Sequence, residues 1–66
     1  MAVMKVIEIM ASSGDGWEQA AKKAVAKAAE SVKNIKSAWV QDQSMTIKDG
    51  KVDDYRVTLK VTFEVS

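Results

Sequence analysis

The sequence predicts an α+β fold with one helix and three strands in the order β-α-β-β. Three observations carry this. Hydrophobic residues make up 47% of the 66, but nine of them are Ala and nine are Val, with one Leu (Leu59) and one Phe (Phe63). Alanine is the best helix former and valine favours strands, so the composition divides between the two. One stretch alone shows helical spacing, while its flanks are β-branched and largely alternating. Between two of those flanks stands Asp49-Gly50, the strongest short-range signal of a β-hairpin.

Taken in order, Val3–Met10 (V-M-K-V-I-E-I-M) reads as a strand, apolar on both faces and so suited to being covered on both sides. Ala11–Gly16 (A-S-S-G-D-G) reads as a loop of turn formers. A helix begins there with either Asp15 or Gly16 as its cap; Asp15 with Glu18 gives a capping-box-like pair that also suits the positive end of the helix dipole. From Trp17 to about Lys33, apolar residues fall at 17, 20, 21, 24, 25, 28, 29 and 32, opposite Glu18, Lys22, Lys23, Lys27, Glu30 and Lys33. That apolar stripe is mostly alanine, which permits close approach to a sheet but brings little volume. Trp17 reads as a core anchor at the first turn. Lys36–Lys48 and Lys51–Val65 read as the two hairpin strands. In the last strand, Tyr55, Val57, Leu59, Val61, Phe63 and Val65 alternate with polar residues, so one face packs on the helix.

A two-residue turn at Asp49-Gly50 pairs Lys48 with Lys51. It then sets Ala38 against Val61, Val40 against Leu59, Trp39 against Lys60, Ser37 against Thr62, Gln41 against Thr58 and Gln43 against Arg56. Trp39 falls on the outer, polar face that the single helix does not cover; a bulge would reverse that placement. An outward Trp reads as an oligomer contact, as a stacking platform for a planar ligand, or as a ring tucked against lysine stems. Its hydrogen-bonding surroundings favour a polar heteroaromatic ligand over a greasy one.

Composition excludes several classes. With neither Cys nor His there is no disulfide, no zinc-type site, no thiol nucleophile and no imidazole base. The chain reads as one domain over residues 1–66, not an enzyme. A core this small usually needs a staple, and with disulfides and zinc-type sites excluded, other copies of the chain are the favoured one. The net charge of +1, with lysines spread along the chain and a single Arg, gives no basic stripe for nucleic acid. No apolar run reaches the length of a membrane span, and Lys5 and Glu8 make Met1–Met10 a poor signal peptide, so a cytoplasmic location is expected.

Several segments together carry a resemblance. K-V-I-E-I with the small-polar loop, W-E-Q-A-A at the helix start, S-V-K-N-I-K-S-A-W-V into the second strand, and D-G-K-V-D-D-Y-R-V-T-L-K-V-T-F-E-V to the end resemble the dodecins, small flavin-binding proteins. The resemblance covers nearly the whole chain. It implies a three-stranded antiparallel sheet partly wrapped around the helix, and a hollow homo-dodecamer. Flavins, FMN or riboflavin, would stack between tryptophans of neighbouring subunits. In flavin-binding members the stacking Trp directly follows the N-x-x that enters the second strand, and a Gln follows the Tyr of the third. Here Ser37 follows Asn34-Ile35-Lys36 and Arg56 follows Tyr55, while Trp39 stands two residues along. Side chains alternate, so Trp39 keeps the face of Ser37 but moves roughly 6.5–7 Å along the strand.

The candidate ligand-binding residues are therefore Trp39, Ser37, Arg56, Gln41 and Gln43. Arginine donates to a ring carbonyl or pairs with a phosphate, but it cannot accept from a ring N–H. Some dodecin-like proteins are regarded as ion-binding or as having no known ligand, so a cation such as calcium, or none, is the alternative. Asp49, Asp53 and Asp54 near the hairpin, and Asp42 and Glu64 across an assembly axis, are the oxygen donors for it, although acids at a hairpin tip also suit a solvated turn. Lys22, Lys23, Lys27 and Lys33 read as a solvated helix face or as a phosphate-contacting patch for a coenzyme A-type ligand.

Overall fold

A computed structural model describes residues 2–65. The order is β1 (Met4–Ser13), α1 (Trp17–Ala29), β2 (Ile35–Lys48) and β3 (Lys51–Glu64). The sheet order is β1-β3-β2, and both neighbours run antiparallel to β3. The last strand is thus the centre of the sheet, inserted between the two strands that α1 connects. Its alternation explains that position, because Val57, Leu59 and Val61 are the residues the sheet buries against the helix.

Ala20, Ala24 and Ala28, one helical turn apart, are the buried residues of α1. With no side chain beyond Cβ they let the helix lie close on Val57, Leu59 and Val61. Ile7, Ile9, Ala11, Trp17, Ala21, Val25 and Ile35 pack around this contact. The thin stripe also leaves a gap on each side. A groove of about 450 Å³ runs between the helix and β2, past Ala21, Val25, Val40 and Leu59, and Trp39 on the β2 edge also borders it. A second of about 290 Å³ lies toward β1, past Ile7, Ile9, Ala24 and Ala28.

Element boundaries differ from the sequence expectation by more than one residue in two places. Ala11, Ser12 and Ser13 continue β1 instead of forming a loop, pairing with Val57, Arg56 and Tyr55. The long central strand offers those ladder positions, and pairing backbone groups there outweighs local turn preference. The helix stops at Ala29, short of Lys33, with Glu30 as its C-cap. Ser31 N and Val32 N still donate to Ala28 O, at 3.1 and 2.9 Å, before Asn34 reverses the chain at a positive φ of 63°. At the other end Gly16, not Asp15, is the N-cap, with φ 137°. That is a backbone conformation L side chains rarely adopt.

The hairpin turn matches expectation. Asp49 and Gly50 have φ of 52° and 76°, as a two-residue turn of the primed kind requires, and Lys48 pairs with Lys51. The register beyond it does not run uninterrupted. Thr46 pairs with Asp54 but Ile47 with Val52, leaving Asp53 as an extra residue on β3. Val40 pairs with Leu59 but Asp42 with Thr58, leaving Gln41 as an extra residue on β2. One insertion on each strand cancels the other. Ser37–Thr62, Ala38–Val61, Trp39–Lys60 and Val40–Leu59 therefore stand as expected. Between the bulges the pairing is displaced by one residue: Gln43 lies opposite Val57 and Ser44 opposite Arg56. Since a one-residue slip exchanges faces, Gln43 moves to the helix-side face.

Two contacts hold the displaced segment. Asp54 N donates to Thr46 Oγ1 at 3.0 Å, and Trp17 Nε1 donates to the Ser44 carbonyl at 3.0 Å. Trp17 also meets Tyr55 edge-on, with ring centroids 5.0 Å apart. The expected core anchor is thus a pin between the helix start and the hairpin.

Two stability predictions follow from these contacts. Trp17→Phe keeps an aromatic contact with Tyr55 but removes the donor to Ser44, and should cost about 1 kcal/mol in a denaturant titration. Ala20→Leu forces volume between helix and sheet at a fully buried position, and should cost about 1–3 kcal/mol in the same measurement.

Candidate functional site

The face of the sheet turned away from α1 is built as rows across three strands. In sequence along the strands they are Val6–Thr62–Ser37, Glu8–Lys60–Trp39, Met10–Thr58–Asp42 and Ser12–Arg56–Ser44, followed by the Asp54–Thr46 pair. Successive rows on one face are roughly 6.5–7 Å apart. Trp39 therefore has the Ser37 row on one side and lies two rows, roughly 13–14 Å, from Arg56 on the other. Its residue is 48% exposed, a large aromatic surface left open on a polar face. Across from it, Lys60 Nζ pairs with Glu8 Oε1 at 3.8 Å, so the cation beside the ring is balanced within the row.

Of the five residues the sequence nominated, the structure brings Trp39 and Ser37 together in adjacent rows and sets Arg56 apart on the same face. Gln41 is the bulge residue between Trp39 and Asp42, not the partner of Thr58. Gln43 leaves the group, because the displaced register puts it opposite the buried Val57 instead of Arg56. Ser44 and Asp42 take outward places instead. Sequence reasoning missed Ser44 because a bulge at Asp53 has almost no local signal. The hint available was an Asp53-Asp54 pair inside a strand, where aspartate is disfavoured.

Ser37 is hydrogen-bonded through its hydroxyl to Thr62 Oγ1, and Thr62 Oγ1 donates to the Ser37 carbonyl at 3.1 Å. Arg56 is exposed and makes no ion pair among the described residues. Its nearest acidic rows are those of Asp42 and Asp54, one on each side.

The other candidates are more dispersed. Among the described residues, no three acidic, His or Cys side chains converge in a way that holds a metal ion. Asp49 sits in the turn, Asp53 is the bulge and Asp54 faces the Thr46 row. On the helix, Lys22 pairs with Glu18 at 3.5 Å, Lys27 pairs with Glu30 at 3.4 Å, and Lys23 Nζ donates to Ser12 O at 3.5 Å. Three of the four lysines proposed as a phosphate patch thus have partners in the chain. Among the described residues no helix is long and apolar enough to cross a membrane.

Comparison with known proteins agrees with the topology. The Dodecin family model matches residues 3–66. Calcium dodecin of Mycobacterium tuberculosis is 42% identical over 65 residues, covering 98% of this chain and 92% of its own. The crystal structure of that calcium-chelating protein, described as having a novel calcium-binding site, superposes with a TM-score of 0.84 at 43% identity, covering 97% of this chain and 91% of the other. The dodecin of Streptomyces coelicolor superposes with a TM-score of 0.94 at 29% identity, over 98% of this chain and 93% of its own. A strand-helix-strand-strand unit with its last strand at the centre of the sheet, matched by a family model over all but the first two residues, identifies the chain as a member of the dodecin family.

Proposed function

We propose that this chain is a non-enzymatic flavin-binding protein, which assembles as a hollow homo-dodecamer and holds FMN or riboflavin between subunits. The observation that carries this reading is Trp39, half-exposed on the polar outer face with hydroxyl-bearing residues along its strand. An isoalloxazine is planar, polar at its edge and apolar on its faces, which suits an open indole flanked by hydrogen-bonding groups. In this reading Trp39, or its mate in a neighbouring chain, stacks on the ring. Ser37 and Gln41 contact the edge, and Arg56 donates to a carbonyl or phosphate of a flavin held across the subunit boundary.

Self-assembly is supported by the surface. Met4, Val6, Met10 and Trp39 are exposed on the outer face, and Val40, Met45, Ile47 and Val52 on the helix-side face. The total accessible surface is 4733 Å². A globular monomer of this mass exposes roughly 4100 Å². The chain thus exposes more surface than a monomer of its mass needs, and the exposed apolar residues on it are of the kind that copies of a chain bury against one another.

A second reading is a calcium-binding shell, favoured by the 42% identical relative that is named calcium dodecin. Calcium takes six to eight oxygen ligands. One chain alone does not bring three acids together among its described residues, so such a site would be shared between chains, with Asp42 and Glu64 as donors.

Titration of FMN with the purified protein, read by flavin fluorescence, tests the first reading, and the expected result is quenching. Trp39→Ala should preserve the fold and weaken binding about tenfold or more, as loss of an aromatic stacking partner does. Colourless protein that leaves FMN fluorescence unchanged would sink the flavin reading. Calorimetry with Ca²⁺ tests the second, which fails if there is neither heat nor a thermal shift. Light scattering should give twelve times the mass of one chain.

A further inference from the structure

The hydrogen bonds between Ser37 and Thr62 have a direction. Thr62 Oγ1 donates its proton to the Ser37 carbonyl. A hydroxyl has one proton and two acceptor lone pairs. The contact between the two side-chain oxygens therefore requires Ser37 Oγ to donate and Thr62 Oγ1 to accept. Both protons are committed inside the chain. What remains for a ligand is acceptor capacity alone, on a couple whose serine is exposed and whose threonine is half-buried.

Arg56 is the complement. It lies beyond Trp39 on the same face and offers donors only. On that side the Asp42 row stands between Trp39 and Arg56, so a carboxylate that only accepts comes before the arginine donors, whereas the other side of Trp39 carries the neutral hydroxyl couple.

We propose that the Ser37–Thr62 couple determines specificity at the stacking site by selecting a planar ring that presents an N–H at its edge, in a flavin the imide N–H of the pyrimidine ring. This rests on the flavin reading of Trp39. A ring stacked there needs to extend by one row, roughly 6.5–7 Å, to bring its edge over the couple, and an isoalloxazine is long enough to do so. The imide N–H is the ring's donor in the oxidised state. Replacing it with N–CH3 sets a methyl against oxygen lone pairs and removes the bond. Arg56 cannot substitute for the couple, because it has no acceptor.

The test compares riboflavin with N3-methylriboflavin by fluorescence quenching, on the unmodified protein and on the Ser37→Ala/Thr62→Val double variant. The unmodified protein should prefer riboflavin about five- to tenfold, the worth of one hydrogen bond. In the double variant, with Trp39 intact, the two ligands should bind about equally. Equal binding by the unmodified protein, or a preference that survives in the double variant, overturns the assignment while leaving flavin stacking in place. Failure of both flavins to bind the unmodified protein removes the stacking reading and this inference with it. Should far-UV circular dichroism show the double variant unfolded, the single Ser37→Ala variant decides: a reduced preference supports the couple, and an unchanged one overturns it.

Discussion

The structure depends on a contact between small surfaces: the alanine stripe of α1 against Val57, Leu59 and Val61 of the central strand. Alanine allows a close approach of helix to sheet, and it stabilises the helix itself. It also brings the least volume, so the buried core is narrow and grooves of about 450 and 290 Å³ remain on its flanks. The helix is 13 residues long, near 20 Å, while the molecule extends 51 Å. Much of the hairpin therefore lies beyond what one helix can cover. Met45, Ile47 and Val52 on that projecting part are apolar and exposed. The proposed shell supplies the remaining core from other copies, which is consistent with a chain that has neither cysteine nor histidine to staple itself.

The projecting hairpin would be a weak platform if nothing fixed its register. Two bulges give it a segment displaced by one residue, and each displaced position reverses which side chain faces the helix. Trp17 reaches from the first turn of the helix to the carbonyl of Ser44 inside that segment, and its ring edge contacts Tyr55 on the partner strand. Bulges commonly re-aim side chains near functional surfaces. Here they turn Asp42 and Ser44 outward and Gln43 inward, while Ser37 and Trp39, beyond the second bulge, keep the register set by the turn.

The legible part of the sequence was the part governed by period and turn chemistry. The helix followed from its apolar spacing, the hairpin from Asp49-Gly50, and the outward Trp39 from counting back from that turn. The extension of β1 through Ala11-Ser12-Ser13 was hidden, because three small residues prefer turns until a long neighbouring strand pairs with them. Gln43 was misplaced for a deeper reason. A bulge is a local compromise between two strands, written in neither alone. Trp39 escaped the same error because a second bulge cancelled the first before the register reached it.

That cancellation bears on how the proposed site works. With the stacking group two residues beyond Ser37, the indole lies between a hydroxyl couple that only accepts and, beyond the Asp42 row, an arginine that only donates. A symmetric apolar plate would bind a planar ring in either sense. The neutral hydroxyl couple on one side, and Asp42 followed by Arg56 on the other, present different groups to the two ends of a ring stacked there. Orientation then follows from hydrogen-bond polarity, and stacking supplies the contact area. Asp42 and Asp54, in the rows flanking Arg56, reinforce this by disfavouring an anionic group held against this chain's own arginine. A phosphate reaching Arg56 would have to come from a ligand seated on a neighbouring subunit, away from those two carboxylates. Ring recognition and tail recognition would then be properties of different chains, and binding would require the assembly even though Trp39, Ser37 and Arg56 are already exposed in one.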